Sequence, residues 1–121
     1  MTCFADATGL ERLDVMDICS IFGNAIDNAI EYEIRRNEPD QRLIKVTVYR
    51  ENHFILIRVE NFCREQIPLV NGLPVTSKQD ARYHGYGLKS IRRAAEKYNG
   101  SMILSQEDDW FTLTVLIPEE G

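Results

Sequence analysis

The stretch 16–36, MDICSIFGNAIDNAIEYEIRR, decides the fold. Ile18, Phe22, Ala25, Ile26, Ala29 and Ile30 recur at steps of three and four, which gathers them on one face of a helix turning about 100° per residue. Asn24 and Asn28 are one helical turn apart and lie roughly 40° from each other on the other side, with Asp17 and Glu31 on the same polar stripe. Asparagine is a poor helix-interior residue because its amide competes for backbone partners. Two of them stacked on one face have either a plain explanation, a solvated face, or a chemical one, contact with a ligand. Asn37-Glu38-Pro39-Asp40 ends the helix, since proline cannot continue it and biases the residue before it away from helical angles.

Before this helix, Thr2 to Ala5 fits a short edge strand, and Asp14 or Asp17 fits a helix start. After it, Ile44, Val46 and Val48 alternate with Lys45, Thr47 and Tyr49, and Ile55, Ile57 and Val59 alternate with Leu56 and Arg58. That is the period of two strands, with Glu51-Asn52 as the turn between them and His53 opening the second. Residues 63 to 86 carry prolines at 68 and 74 and glycines at 72 and 85, and sustain no period. An irregular stretch of that length in a small domain reads as a functional lid. Leu88, Ile91, Ala94, Ala95 and Tyr98 give a second helix stopped by Asn99-Gly100, and two strands follow, Ser101 to Ser105 and Phe111 to Ile117. The expected architecture is α/β: a two-layer sandwich with helices packed on one face of a mixed, largely antiparallel sheet.

The chain has 121 residues, 44% hydrophobic and 27% charged, which suits one soluble domain with a single core. The longest apolar runs, such as Phe54-Ile55-Leu56-Ile57, are far too short to cross a bilayer, and no secretory signal opens the chain. Cys3, Cys19 and Cys63 are odd in number with no C-x-x-C spacing, which argues for a reducing, cytoplasmic setting and against a disulfide framework or a zinc site. A formal charge of −5 argues against nucleic acid as a partner. Basic residues nevertheless gather between Lys78 and Lys97: Lys78, Arg82, Lys89, Arg92, Arg93 and Lys97, against Asp80 and Glu96.

Within that basic segment stands His84-Gly85-Tyr86-Gly87-Leu88, read as a glycine loop running into the second helix. Glycines let a backbone turn sharply and approach a ligand, and a helix N-terminus offers unpaired N–H groups that suit phosphate. Thr76-Ser77-Lys78 before it and Lys89 after it put hydroxyls and cations on both sides. A plain loop-to-helix joint is the competing reading, because a lone G-x-G is weak.

Together these stretches resemble a known family. Phe22 to Glu31 is similar to the N-box of the GHKL superfamily, which groups gyrase, heat-shock chaperones, histidine kinases and mismatch-repair ATPases, and His84 to Ile91 is similar to its second glycine box. The pairing resembles most closely the peptide-pheromone (quorum-sensing) class of sensor histidine kinases, in which a motif like Val59-Glu60-Asn61 ends a strand and the lid holds a segment like Thr76-Ser77-Lys78. The similarity runs from about Asp14 to Pro118.

The resemblance implies a Bergerat-type fold, ATP and Mg²⁺ as cofactors, and transfer of the γ-phosphate to a histidine in a separate dimerisation domain. A response regulator would act downstream, and the domain would be the cytoplasmic part of a receptor. It implies that Asn28 ligates Mg²⁺ through its amide oxygen, which suits an ion that prefers oxygen and takes ligands from phosphates and water. Gly85 and Gly87 would meet the phosphates, with His84, Tyr86 and Leu88 in the same box and Lys78 as the contacting cation. Asn24 stands where the ATP-hydrolysing branches carry a glutamate base, and an amide has no lone pair basic enough to take water's proton. Asn61 stands where most histidine kinases carry the aspartate that reads the adenine amino group, and Glu31 where many have lysine. His53 and His84 lack the helical context of a phosphoacceptor. The alternatives are a GHKL ATPase, an anti-sigma-type serine kinase, and a pseudokinase that serves as an interaction module.

Overall fold

The computed structural model describes residues 1–6, 8–36, 38–64, 69, 70, 73, 74 and 78–119, with backbone alone described at 8, 35, 36, 39, 69, 70, 73, 74 and 78–86. Helix α1 (Val15–Arg36) starts where Asp14 caps it: the Asp14 carboxylate accepts the Met16 N–H at 2.9 Å, and the Asp14 carbonyl accepts the N–H groups of Asp17 and Ile18. A short carboxylic side chain is suited to this position because it satisfies donors the helix itself leaves open. A 3-10 turn, Pro39–Gln41, follows the helix.

Five strands form the main sheet: β1 (Thr2–Ala5), β2 (Ile44–Glu51), β3 (Phe54–Phe62), and, after a two-stranded hairpin of β4 (Leu69–Val70) and β5 (Leu73–Pro74) and then helix α2 (Lys78–Lys97), β6 (Ser101–Glu107) and β7 (Trp110–Pro118). The order is β1-β2-β3-β7-β6; β1 runs parallel to β2 and every other pair is antiparallel. The alternation predicted from sequence is realised. Val46 and Val48, Ile55, Ile57 and Val59, Leu113, Val115 and Ile117 face the helices and are buried with Met102 and Leu104. Both helices pack on this one face, so the α/β two-layer sandwich stands as read.

Four details differ from the sequence reading. The hairpin turn is Asn52-His53, both in the left-handed region (φ 50° and 67°), so His53 lies in the turn and not in the strand. The stretch 63–86 contains the small hairpin β4–β5, and α2 begins at Lys78, ten residues before Leu88. Lysine, glutamine, alanine and arginine between 78 and 82 are good helix formers, and each of Gly85 and Gly87 costs only about 1 kcal/mol inside a helix. Parts of the expected lid, 65–68, 71, 72 and 75–77, fall outside the described residues. Finally, α1 is rotated about its axis relative to expectation. Its buried face runs through Ile21, Ala25, Ala29 and Tyr32, while Phe22 and Ile26 are half-buried and Ile30 is exposed. α1 rests on both the sheet and α2, so its buried arc extends toward the asparagines.

Candidate active site

Asn24 is half-buried at the margin of that arc. Its Nδ2 donates to the Ser20 carbonyl at 2.7 Å and to Ser20 Oγ at 3.3 Å, which fixes the plane of the amide. Its Oδ1 faces α2: a Cβ placed on Gly87 would sit 3.4 Å from Asn24 Oδ1 and 3.8 Å from Asn24 Cγ. The structure therefore brings the first asparagine and the second glycine of the box side by side, and the missing side chain at 87 leaves the amide oxygen uncovered on that flank.

Asn28 lies one turn further along and is only 8% exposed. It is not on a solvated stripe; it belongs to the buried arc and takes part in a polar interaction there. Asn61 is more deeply enclosed, 2% exposed, on the helix-facing side of β3. Its cross-strand neighbours are Ile44 and Phe111, and the Phe111 ring packs against Tyr32 of α1 at 5.4 Å between centroids. Among the described residues the Asn61 Nδ2 has no hydrogen-bond partner. A buried amide donor without an acceptor is uncommon and calls for an explanation.

The remaining predicted residues divide. Leu88 is a core residue, 1% exposed, so its side chain serves packing. Lys78 is the first residue of α2, and His84, Gly85 and Tyr86 lie within that helix, so the helix N-terminus is at Lys78 and not at the glycine box. The side chains of 78–86 lie outside the described residues.

A charged network joins the two helices at the other end. Asp17 Oδ2 accepts the Tyr98 hydroxyl at 2.6 Å and Lys97 Nζ at 2.9 Å, while the Tyr98 oxygen accepts the Asp14 N–H at 2.8 Å. The Tyr98 hydrogen bond, then Lys97, holds the Asp17 carboxyl below its usual range, and Asp17 raises the ammonium of Lys97. Between the helices an open groove of about 590 Å³ is lined by Asp17, Ser20, Ser90 and Arg93, next to Asn24. A smaller hollow of about 400 Å³, with Lys45, Arg58 and Trp110, lies on the opposite face of the sheet and away from the asparagines.

The donor set can be tested against the expected ligands. Among the described residues no group of three or more His, Cys, Asp or Glu could hold a metal. A cation here would rely on an amide oxygen and on oxygens its ligand brings, a set that fits Mg²⁺ with phosphates and does not fit zinc. The Asn61 Nδ2, without a partner among the described residues, and the open flank over Gly87 are polar features compatible with a nucleotide.

Sequence reasoning missed Ser20, which orients Asn24, and Glu33. The latter is 2% exposed, and its Oε1 accepts the N–H groups of Leu43 at 2.9 Å and Phe62 at 3.0 Å. A glutamate near a charged helix end ordinarily lies in solvent, so nothing in the pattern marks it.

The GHKL domain family matches residues 13–118. Among solved structures, a nucleotide-free form of the catalytic domain of histidine kinase ThkA matches with a TM-score of 0.67 at 21% identity, covering 88% of this chain and 69% of that one. Histidine kinase AdeS of Acinetobacter baumannii matches with a TM-score of 0.60 at 17% identity, and the chain, 89% of it aligned, covers 48% of the AdeS chain, about half its length. No curated protein matches the chain significantly. Among the described residues no helix is long and apolar enough to cross a membrane. With the family match covering most of its length, the chain belongs to the GHKL domain family.

Proposed function

We propose that this chain is the catalytic domain of a histidine kinase of the peptide-pheromone class, binding Mg·ATP and presenting its γ-phosphate to a histidine in a separate dimerisation domain. A response regulator then receives the phosphoryl group. The observation that carries this reading is the contact of Asn24 with the Gly87 turn, which joins two motifs sixty-odd residues apart into one place. The domain's task is positioning and charge neutralisation, since phosphoryl transfer requires little covalent chemistry of the protein. Transfer breaks the bond between the γ-phosphorus and the β–γ bridging oxygen and forms a bond from that phosphorus to an imidazole nitrogen.

In this reading Asn28 would hold a magnesium ion through its amide oxygen, and the ion would supply positive charge to offset that of the phosphates. Asn61 reads the adenine edge, and Lys78 and the glycines at 85 and 87 meet the phosphates. Asn24, held by Ser20, cannot accept a proton from water, so hydrolysis does not compete with transfer.

Calorimetric titration of wild type and Asn28→Ala with Mg·ATP tests the reading. Losing the metal contact should weaken binding at least about tenfold, or about 1.4 kcal/mol, and the difference should shrink when magnesium is withheld. Because Asn28 is buried, the comparison is made at a temperature where circular dichroism shows both proteins folded. Equal affinities would overturn the metal assignment, and no binding by wild type would leave an interaction module.

A further inference from the structure

The Glu33 Oε1 staples three pieces of chain together. It lies on α1, and the N–H groups it accepts belong to Leu43, one residue before β2, and to Phe62, the last residue of β3. The Phe62 N–H is shared with the Leu43 carbonyl at 3.0 Å, a three-centre arrangement. Beyond it, the Cys63 N–H donates to the Asp109 carbonyl at 2.7 Å, and Gln106 Nε2 donates to the Cys63 carbonyl at 3.1 Å. The strand end is thus held from the helix side and from the β6–β7 turn. The residue enclosed by these fastenings is Asn61, whose own Nδ2 has no partner among the described residues.

A fold that fixes a backbone this thoroughly while leaving the adjacent buried Nδ2 without a partner among the described residues leaves that donor open to a ligand. An amide differs from a carboxylate in offering a donor beside an acceptor. Adenine offers the complement, the N1 acceptor beside the 6-amino donor. We infer that Glu33 is a positioning residue, whose carboxyl oxygen fixes the end of β3 so that Asn61 presents donor and acceptor together to the edge of a purine base. This rests on the nucleotide-binding reading above. Glu33 touches no ligand; it acts through Asn61, on the same helix that carries Asn28. The base end, on β3, is therefore fastened to the helix that carries the metal end.

The test uses the whole chain and two ligands, Mg·ATP and the Mg complex of purine riboside triphosphate, which lacks the 6-amino group. A site built to pair with a group discriminates against the analogue without it, so wild type should prefer ATP about tenfold. Glu33→Leu should bring that ratio down to about twofold, because the strand end shifts and the amide loses its aim. Glu33→Gln, whose amide oxygen can still accept both N–H groups, should retain the wild-type ratio. If Glu33→Leu does not fold, Glu33→Asp withdraws the carboxyl by one methylene and should lower the ratio likewise. A ratio is insensitive to the fraction of folded protein, so a merely structural role would leave it unmoved. The inference is overturned if wild type discriminates and the leucine or aspartate variant discriminates equally. Failure of wild type to bind either nucleotide would instead sink the nucleotide reading, and this inference with it.

Discussion

At its first turn α1 is tied to α2 by Asp17, which takes hydrogen bonds from Tyr98 and Lys97 within reach of solvent. Near its last turn it is tied to the sheet by Glu33, enclosed and bonded to two backbone N–H groups. Both anchors are single carboxyl groups with more than one donor. They differ in what replaces them when they are lost. Water and ions can take over the partners of Asp17, whereas loss of the Glu33 carboxyl leaves the Phe62 N–H with the Leu43 carbonyl alone and the Leu43 N–H without a protein acceptor, and empties a place where an enclosed side chain stood. The end of the helix nearest Asn61 is therefore held by an enclosed anchor, and the end nearest the groove by one within reach of solvent.

The contrast can be broken by measurement. Glu33→Leu should lower the unfolding free energy by about 2 kcal/mol, because it removes two hydrogen bonds to an enclosed carboxyl group. In urea titrations that loss should be the same at low and high salt, and a salt-dependent loss would place Glu33 in the same class as Asp17. A smaller effect is expected from Asp17→Asn, visible in the pH dependence. The Asp17 carboxyl is held below its ordinary 3.8 by Tyr98 and then by Lys97, so its contribution is present above that pH and lost as pH falls through the depressed folded value. The acid side of the stability profile should flatten in the variant, and an unchanged acid side would show that the network contributes nothing. Smallest of all is Lys97→Met: an exposed cation, raised by Asp17, should change the melting temperature by about a degree at low salt and by less at high salt. A shift as large as that of Glu33→Leu would erase the distinction between the two ends.

Much of this molecule is legible before any coordinates. The periods of two and of 3.6 mark every major strand and both helices, because side-chain direction follows backbone geometry. Helix rotation is not legible in the same way. Ile30 and Ile21 are equally apolar, and only the packing of α1 against the sheet and α2 decides that Ile21 is enclosed and Ile30 exposed. The start of α2 escaped for a related reason, since propensity between 78 and 86 is helical while glycines and prolines nearby mimic a loop. The hairpin turns place Asn52, His53, Asp108 and Asp109 in the left-handed region, a choice open to several nearby residues. Of the site, Asn24, Asn28 and Asn61 could be named from motif resemblance. The proximity of Asn24 to Gly87, the burial of Asn28 and the clamp by Glu33 depend on packing between distant segments.

The parallel pairing of β1 with β2 sets an order of assembly. The hairpins β2–β3 and β6–β7 each close over a two-residue turn, an event of microseconds. Thr2 finds Lys45 only across the whole length of α1, and a parallel pair requires such a crossover. Loop closure over that separation must come before any reward from the contact. The reward is slight, because all four residues of β1 are exposed. This strand is then the last part of the sheet to be laid down and the first to peel away, so the sheet is a four-stranded antiparallel platform before it is a mixed one.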